Sequence, residues 1–245
     1  MSIVEMSKND FAFWTDFYDG DDCFEWASKK AYLDMNRTMT FKEVASKDKK
    51  NEKDIENQRK AWRDKGTKIF RERFSKMSGS FDVWHEETCK AIIDIYGDDK
   101  LVAKIGNKRT QTPVKLTFGQ AQKWLNMTLK YLWLLYRLGM LENKYSDIVF
   151  KYEKDFHVPL DSYILRYVAK VKKRKKEFPD NELGNADFSK YWELFSAEWS
   201  KIREDNREDY YKYQAKIRNA IAKDKYPTAL SWELVHWHKA LVYYD

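Results

Sequence analysis

A lysine and an aspartate, each near the start of a segment with helical character, are the residues best placed to do chemistry together. Lys123 follows Gly119 and opens a very apolar stretch. Asp161 follows Pro159, and the apolar residues after it are spaced as in a helix. If the two helices pack side by side, an amine and a carboxylate meet at one end of the pair. An amine in such a setting can act as a nucleophile.

Each of the two residues also has an ordinary structural role. Burial and the positive end of the helix dipole disfavour the charge of Lys123, which favours a reactive free amine. Alternatively, the Lys123 stem packs along the helix and its charged end reaches water. Asp161 lies where the N-cap of a helix belongs, and capping alone accounts for it. Both alternatives remain open from the residues alone.

The elements that position the pair are predicted from hydrophobic spacing. The segment from Gln120 to Gly139 is apolar nearly all round, which predicts a buried, central helix. Its apolar positions follow helical spacing and are Ala121, Trp124, Leu125, Leu129, Leu132, Leu135 and Leu138. Lys123, Lys130 and Arg137 interrupt this run, so it is not predicted to span a membrane.

Two short motifs resemble those of one enzyme family. The run G-Q-A-Q-K-W-L-N-M-T-L resembles the hairpin and following helix of helix-hairpin-helix DNA glycosylases, G-x-G-x-K-x-x-N-x-x-L. The run P-L-D-S-Y-I-L-R is similar to that family's P-V-D-T-x-V-x-R, and the two motifs occur in the same order. Ala121 replaces the second glycine of the hairpin, and Phe118 stands where proline is common. Lys123 and Asp161 are 38 residues apart, a long connection that looks closest to the archaeal 8-oxoguanine glycosylase branch.

The resemblance implies a fold and a role for each residue of the pair. The fold would be all-α, with two helical lobes around a cleft, as in helix-hairpin-helix DNA glycosylases. Residues 36–159 would form the central lobe with the hairpin, and residues 1–35 plus 160–245 the second lobe of one compact unit. By the resemblance, Lys123 would be the nucleophile and Asp161 the carboxylate that stabilises the oxocarbenium ion. The long spacer leaves Lys130 as a rival for the amine role.

Two further groups of residues are predicted to hold DNA. A helix start presents free N–H groups that suit a phosphate, and nearby cations add to it. This predicted backbone contact comprises Phe118, Gly119, Gln120, Ala121, Lys108, Arg109 and Lys115. The residues predicted to line a pocket for an extruded base are His157, Trp232, His236 and Trp237. The alternatives are a solvated basic loop for the first group and ordinary core packing for the second.

Composition limits the class of protein. The chain has 245 residues, 43% of them hydrophobic and 16% aromatic, which predicts a globular protein with a substantial core. Only 8 glycines and 4 prolines occur, which favours helices over a β-sandwich or a Rossmann fold. The net charge of +7 is compatible with a polyanionic partner. We predict a cytoplasmic monomer without a cofactor, acting on double-stranded DNA and not on membranes.

The remaining motifs give weaker expectations. Cys23 and Cys89 are the only cysteines, so neither a disulfide framework nor a four-cysteine iron–sulfur cluster is expected. The run from His85 to Cys89 is similar to the zinc motif H-E-x-x-H but lacks a clear third ligand, so no metal is predicted. Leu101–Ile105 is expected to form a strand. The competing class is a non-catalytic helical protein that binds nucleic acid or another protein.

Overall fold

Helices form the core of the protein, and one of them is enclosed by the others. The computed structural model describes residues 18, 22–36, 52–96, 101–105, 108–172, 177–195, 199–222 and 224–244. The elements in chain order are α1 (Cys23–Asn36), α2 (Glu52–Phe74), α3 (Phe81–Tyr96), β1 (Leu101–Ile105), β2 (Lys108–Val114), α4 (Phe118–Arg137), α5 (Asn143–Tyr152), α6 (Ser162–Val168), α7 (Ser189–Leu194), α8 (Arg207–Ala220) and α9 (Ala229–Tyr244). Single 3-10 turns lie at Trp199–Lys201 and Glu204–Asn206.

Helix α4 is the centre of the structure. Every residue from Phe118 to Leu135 is buried, which confirms the predicted central helix. Helices α1, α3 and α5 and the turn at Trp199–Lys201 all pack against α4. A helix without a polar face has to be covered on all sides, and this requirement draws the other elements around it. None of the described helices is both long and apolar enough to cross a membrane.

Close packing around Trp124 fixes α2 against α4. The Trp124 ring lies edge-on to Tyr32 and to Phe70, at centroid distances of 4.9 Å in both cases. Its indole N–H donates to the Ser28 carbonyl at 3.0 Å. A Cβ atom on Gly66 would lie 2.1 Å from the Trp124 ring, so only glycine allows this approach. One continuous apolar core results, with residues from α1 through α9.

The all-α prediction holds for the core, with one addition. Strands β1 and β2 form an antiparallel pair in which Leu101 lies opposite Val114. The predicted strand at Leu101–Ile105 is therefore confirmed, and it belongs to a hairpin that precedes α4. The two lobes around a cleft and their boundaries stay predictions.

Of two further predicted helices, one is observed and one is not. Hydrophobic spacing predicts a mostly charged helix to about Lys65 with an amphipathic continuation through Phe74, and α2 runs unbroken to Phe74. The capping box predicted for this helix at Thr40–Glu43 lies outside the described residues. Hydrophobic spacing also predicts one helix over residues 187–202. This prediction is wrong, because α7 ends at Leu194 and Trp199–Lys201 forms a 3-10 turn. The Ile202 carbonyl after this turn accepts a hydrogen bond from the Gly119 N–H at the start of α4.

Candidate functional site

Local sequence determines where α4 begins and therefore where Lys123 lies. The Thr117 hydroxyl accepts the Gln120 N–H at 3.1 Å, and the Gln120 side chain accepts the Thr117 N–H at 3.0 Å. This reciprocal capping box starts the helix at Phe118. Lys123 is consequently beyond the first turn, and the expected effect of the helix dipole on its charge is weaker than the sequence suggested. Burial remains, since its side chain is only 8% exposed.

Asp161 caps a helix and also contacts Lys123. One carboxylate oxygen accepts the Ile164 N–H at 2.8 Å and so caps α6. The other oxygen lies 3.3 Å from the Lys123 ammonium nitrogen and 2.8 Å from the indole nitrogen of Trp237. The amine and the carboxylate therefore meet, although they are 38 residues apart in sequence. Capping fixes one oxygen and leaves the other directed at the amine.

The rival amine has an acidic partner of its own. Lys130 lies 2.6 Å from Glu233, and both side chains are almost completely buried. Burial raises the pKa of Glu233, and the positive charge of Lys130 opposes that rise. Two turns separate Lys123 and Lys130 on α4, and one turn separates Glu233 and Trp237 on α9. The Lys130–Glu233 contact thus joins α4 to α9, whereas the Lys123–Asp161 contact joins α4 to the start of α6 and is the less deeply buried of the two.

Aromatic rings surround the Lys123–Asp161 pair. The Lys123 nitrogen lies 5.7 Å from the centre of the Trp199 ring, within the range of a cation–π contact. Tyr163 lies edge-on to Trp237, with ring centroids 6.4 Å apart. Trp199, Tyr163 and Trp237 are all partly exposed. The pair is therefore mostly buried beneath a surface that aromatic side chains border.

Of the four residues predicted to line a base pocket, only Trp237 lies at the pair. Trp232 and His236 are fully buried and stack on each other at 4.9 Å. Tyr167 and Tyr226 each lie 3.2 Å from a ring nitrogen of His236. These contacts place Trp232 and His236 in the core below α9, so a base could reach them only by displacing core side chains. The alternative of core packing describes them better.

His157 belongs to a separate buried network that the sequence did not reveal. Its Nε2 atom lies 2.8 Å from Asp82, and its Nδ1 atom lies 3.0 Å from the Tyr210 hydroxyl. The Asn126 amide donates to that hydroxyl at 2.8 Å, and the Asn126 carbonyl oxygen lies 3.0 Å from His85 Nε2. The network ties α3, α4 and α8 together around groups that are almost all buried.

The partners in this network determine the protonation of both histidines. The Asn126 amide already donates to Tyr210 and to the Gln122 side chain, so its oxygen must accept from His85 Nε2–H. His157 donates to the Asp82 carboxylate, and burial lowers the pKa of both imidazoles, so both are neutral at neutral pH. Burial lowers the pKa of His157 to about 4, although the bond to Asp82 acts in the opposite direction.

The start of α4 is covered by protein rather than open to a phosphate. The Gly119 N–H donates to Ile202, and a Cβ atom on Gly119 would lie 1.9 Å from the Trp199 carbonyl oxygen. Phe118, Gly119, Gln120 and Ala121 are all buried. The turn predicted to contact DNA therefore faces residues 199–202. Lys115 is exposed, whereas the side chains of Lys108 and Arg109 lie outside the described part of the chain.

His85 and Cys89 do not form the beginning of a metal site. The Cys89 sulfur is 3.9 Å from His85 Nδ1, and both side chains are buried. The two ring nitrogens of His85 are engaged by Tyr211 and Asn126. Within the described residues, no cluster of three or more His, Cys, Asp or Glu side chains is arranged to hold a metal ion.

No protein-family model, curated protein or solved structure matches this chain. The functional interpretation therefore rests on the residues themselves. The Lys123–Asp161 pair combines a primary amine, a carboxylate and aromatic rings at one partly buried surface point. Such a set can stabilise a developing positive charge with the carboxylate and form a covalent adduct through the amine.

Proposed function

We propose that this protein is a DNA glycosylase that excises a damaged or modified base. The observation that carries the proposal is the 3.3 Å contact between the Lys123 nitrogen and the Asp161 carboxylate at a surface bordered by aromatic rings. The motifs around both residues resemble those of helix-hairpin-helix DNA glycosylases. An oxidised purine such as 8-oxoguanine is the first candidate substrate. Base-excision repair and defence against modified phage DNA are the two candidate settings.

The proposed reaction uses both members of the pair. Breaking the N-glycosidic bond develops positive charge on the sugar, and the Asp161 carboxylate stabilises this charge. Lys123 loses a proton, its nitrogen bonds to C1′, and the base departs with the electrons of the glycosidic bond and is protonated. Ring opening then gives a Schiff base, from which abasic-site lyase activity can follow. If Asp161 activates water instead, the base is excised without a strand break.

Substrate entry requires the pair to open. At 3.3 Å the two groups are in direct contact, which leaves no space for a base between them. The Lys123 nitrogen is held against the Asp161 oxygen, so it can attack a sugar only after the contact separates. Trp199 and Trp237 border the pair and are the side chains nearest to an incoming base. Extruding the base from the duplex costs a few kcal/mol, and stacking on these rings would offset part of that cost.

Borohydride trapping tests the Schiff-base step. Wild-type protein and duplexes with a single lesion are mixed with borohydride, and covalent complexes are separated on a denaturing gel. We expect wild type to be trapped and Lys123→Gln not to be trapped. Lys151→Gln removes a surface lysine of α5 and serves as the matched control. Equal trapping of Lys123→Gln and wild type would show that another amine is the nucleophile.

A specific observation favours a second candidate function, a non-catalytic protein that binds nucleic acid or protein. Both lysines of α4 face a carboxylate, an arrangement that fixes helices against each other without any reaction. Such a protein would bind without releasing a base. Steep weakening of DNA binding with salt would indicate phosphate contacts, and a flat response would indicate an apolar interface.

A further inference from the structure

A row of partly exposed aromatic rings and cations extends away from the Lys123–Asp161 pair. It starts at Trp237, whose indole donates to Asp161, and continues to Tyr163, whose ring lies 6.4 Å from Trp237. Arg166 lies one turn further along α6 and is exposed. Helices α6 and α9 pack side by side here.

Arg166 lies between two further aromatic rings. Its guanidinium carbon is 5.9 Å from the centre of the Trp192 ring and 5.9 Å from that of Tyr244. Trp192 belongs to α7 and Tyr244 to the end of α9, so three helices contribute to this point. Both rings are partly exposed. We name Tyr163, Arg166, Trp192, Trp237 and Tyr244 the α6–α9 face.

Two more cations lie beside the far end of this face. The Tyr244 hydroxyl donates to the Val171 carbonyl at 2.7 Å, which anchors the segment after α6 against α9. Lys170 and Lys172 flank Val171, and both are exposed. Positive charge is therefore concentrated where the row of rings ends, while the Asp161 carboxylate marks its beginning.

We infer that the α6–α9 face binds a single-stranded stretch of nucleic acid. Rings with exposed faces accept unpaired bases by stacking, and cations between and beside them contact the phosphates. Paired bases in a duplex offer no free face to these rings, so an unpaired strand fits this surface better. The inference rests on the proposed function only for the reaction at Asp161, where the bound strand would present its base.

The positive charge of the α6–α9 face favours a nucleic-acid strand over a protein partner. Arg166 occupies the middle of the face, and Lys170 and Lys172 border it, so a partner has to offer repeated negative charge. The core of a protein interface is depleted of charged residues, in contrast to this surface. A nucleic-acid strand supplies both a phosphate at each step and a base to stack. Weak salt dependence would indicate a protein partner and would overturn the inference.

Fluorescence anisotropy with a labelled oligothymidylate tests the inference on the full chain. We expect wild type to bind this probe more tightly than a labelled duplex of the same length. Trp192→Leu should raise the dissociation constant by about 5-fold to about 150-fold, the range for losing one stacked base. Phe150→Leu removes another exposed aromatic side chain, from α5, and should leave binding unchanged.

Salt titration of the same probe tests the charge contact. Arg166→Gln should make the plot of log affinity against log salt shallower by about 0.7, the value for one lost phosphate contact on a single strand. Arg73→Gln, which removes an arginine from α2, serves as the control and should keep the wild-type slope. Unchanged affinity in Trp192→Leu, or an unchanged slope in Arg166→Gln, would overturn the inference.

Failure of this inference and failure of the proposed function give different results. Oligothymidylate binding that depends on Trp192, together with no base release from any lesion, supports the α6–α9 face and refutes the glycosylase. Base release that needs Asp161, together with single-strand binding that is unaffected in Trp192→Leu, supports the enzyme and refutes the face. Circular dichroism of each variant establishes that the fold is retained.

Discussion

Lys123 and Lys130 show why a charged residue in an apolar helix is informative. A lysine whose charged end cannot reach water needs an anion nearby, because an unpaired buried charge is costly. The structure supplies Asp161 to one lysine and Glu233 to the other. The spacing of the lysines was visible in the sequence, but their partners come from segments far along the chain. The role of Glu233 was therefore missed.

The Lys130–Glu233 contact predicts a large change in stability. Lys130→Met leaves the Glu233 carboxylate buried without its partner, which should cost about 3–5 kcal/mol of unfolding free energy. The double variant Lys130→Met with Glu233→Leu removes both charges and should recover most of that loss. Urea unfolding followed by circular dichroism measures both effects.

A surface lysine provides the control for this pair of variants. Lys68 on α2 is 77% exposed, and Lys68→Met should change the unfolding free energy by less than about 0.5 kcal/mol. If Lys130→Met is as stable as Lys68→Met, the ion pair between α4 and α9 contributes nothing and its assignment here is incorrect.

At the scale of elements, the start of α4 packs against a segment far along the chain. The Thr117 hydroxyl donates to the Ser200 carbonyl at 2.7 Å, 83 residues away, and the Gly119 N–H donates to the Ile202 carbonyl. Gly119 has no Cβ atom and so allows a close backbone approach, which residues 199–202 use. The sequence could not identify this partner, because residues 187–202 have helical spacing.

Gly119→Ala should disturb this contact. The added Cβ would lie 1.9 Å from the Trp199 carbonyl oxygen, and a backbone atom cannot rotate away as a side chain can. We expect a loss of about 1–3 kcal/mol, typical of overpacking. Backbone hydrogen exchange should increase at residues 199–202. Lys123, which Trp199 contacts, should become more exposed to solvent.

Gly79→Ala is the matched control for this substitution. Gly79 has a φ of +71° and no atom within 4 Å of an added Cβ. Gly79→Ala therefore costs stability through backbone strain alone. Exchange at residues 199–202 should stay at the wild-type rate in Gly79→Ala. Wild-type exchange there in Gly119→Ala would show that the segment does not depend on this contact.

The buried histidine network predicts that acid destabilises the protein. His157 stays neutral in the native state down to a pKa of about 4, whereas an unfolded histidine binds a proton below about 6.5. The unfolded state therefore binds more protons as the pH falls from 6.5 to 4, and stability is lost in that window. At about 1.4 kcal/mol per pKa unit, the lowered pKa of His157 reduces the unfolding free energy by roughly 3 kcal/mol across this window.

Asp82 extends the same effect to lower pH. Burial alone would raise the pKa of Asp82, but the His157 hydrogen bond and the Arg218 charge lower it to about 2. A carboxylate with a lowered pKa stabilises the native state at higher pH, and that contribution is lost below about 3.9. His157 and Asp82 thus both make the native state less stable as the pH falls.

Unfolding experiments at several pH values measure this dependence. Wild type should lose stability steadily from pH 6.5 to 4, and His157→Gln should lose less over the same range. His238→Gln removes an exposed histidine of α9 and should keep the wild-type pH profile. A wild-type profile in His157→Gln would show that this histidine is not neutral and buried as described.

At the scale of the whole molecule, hydrophobic spacing predicted the elements better than their contacts. The central helix α4, the strand at Leu101–Ile105 and the cap at Asp161 follow from local sequence. The burial of the Phe118–Ala121 turn and of Trp232 and His236 does not, because burial depends on which distant segments arrive. The Lys123–Asp161 contact is a long-range juxtaposition expected from the sequence, and the two groups do meet. The expected meeting of His157 with Trp237 is not observed, because His157 contacts Asp82 and Tyr210 instead.

Measured base release tests the central proposal most directly. Wild type, Asp161→Asn and the surface control Asp147→Asn are incubated with duplexes that contain single lesions, beginning with 8-oxoguanine, and the freed base is quantified. We expect release by wild type and by Asp147→Asn, and release at least about 100-fold slower by Asp161→Asn with DNA binding retained, because removing one charge-stabilising group costs on the order of 10²–10³ in rate. No release of any base by wild type, or equal release by Asp161→Asn, would contradict the proposal.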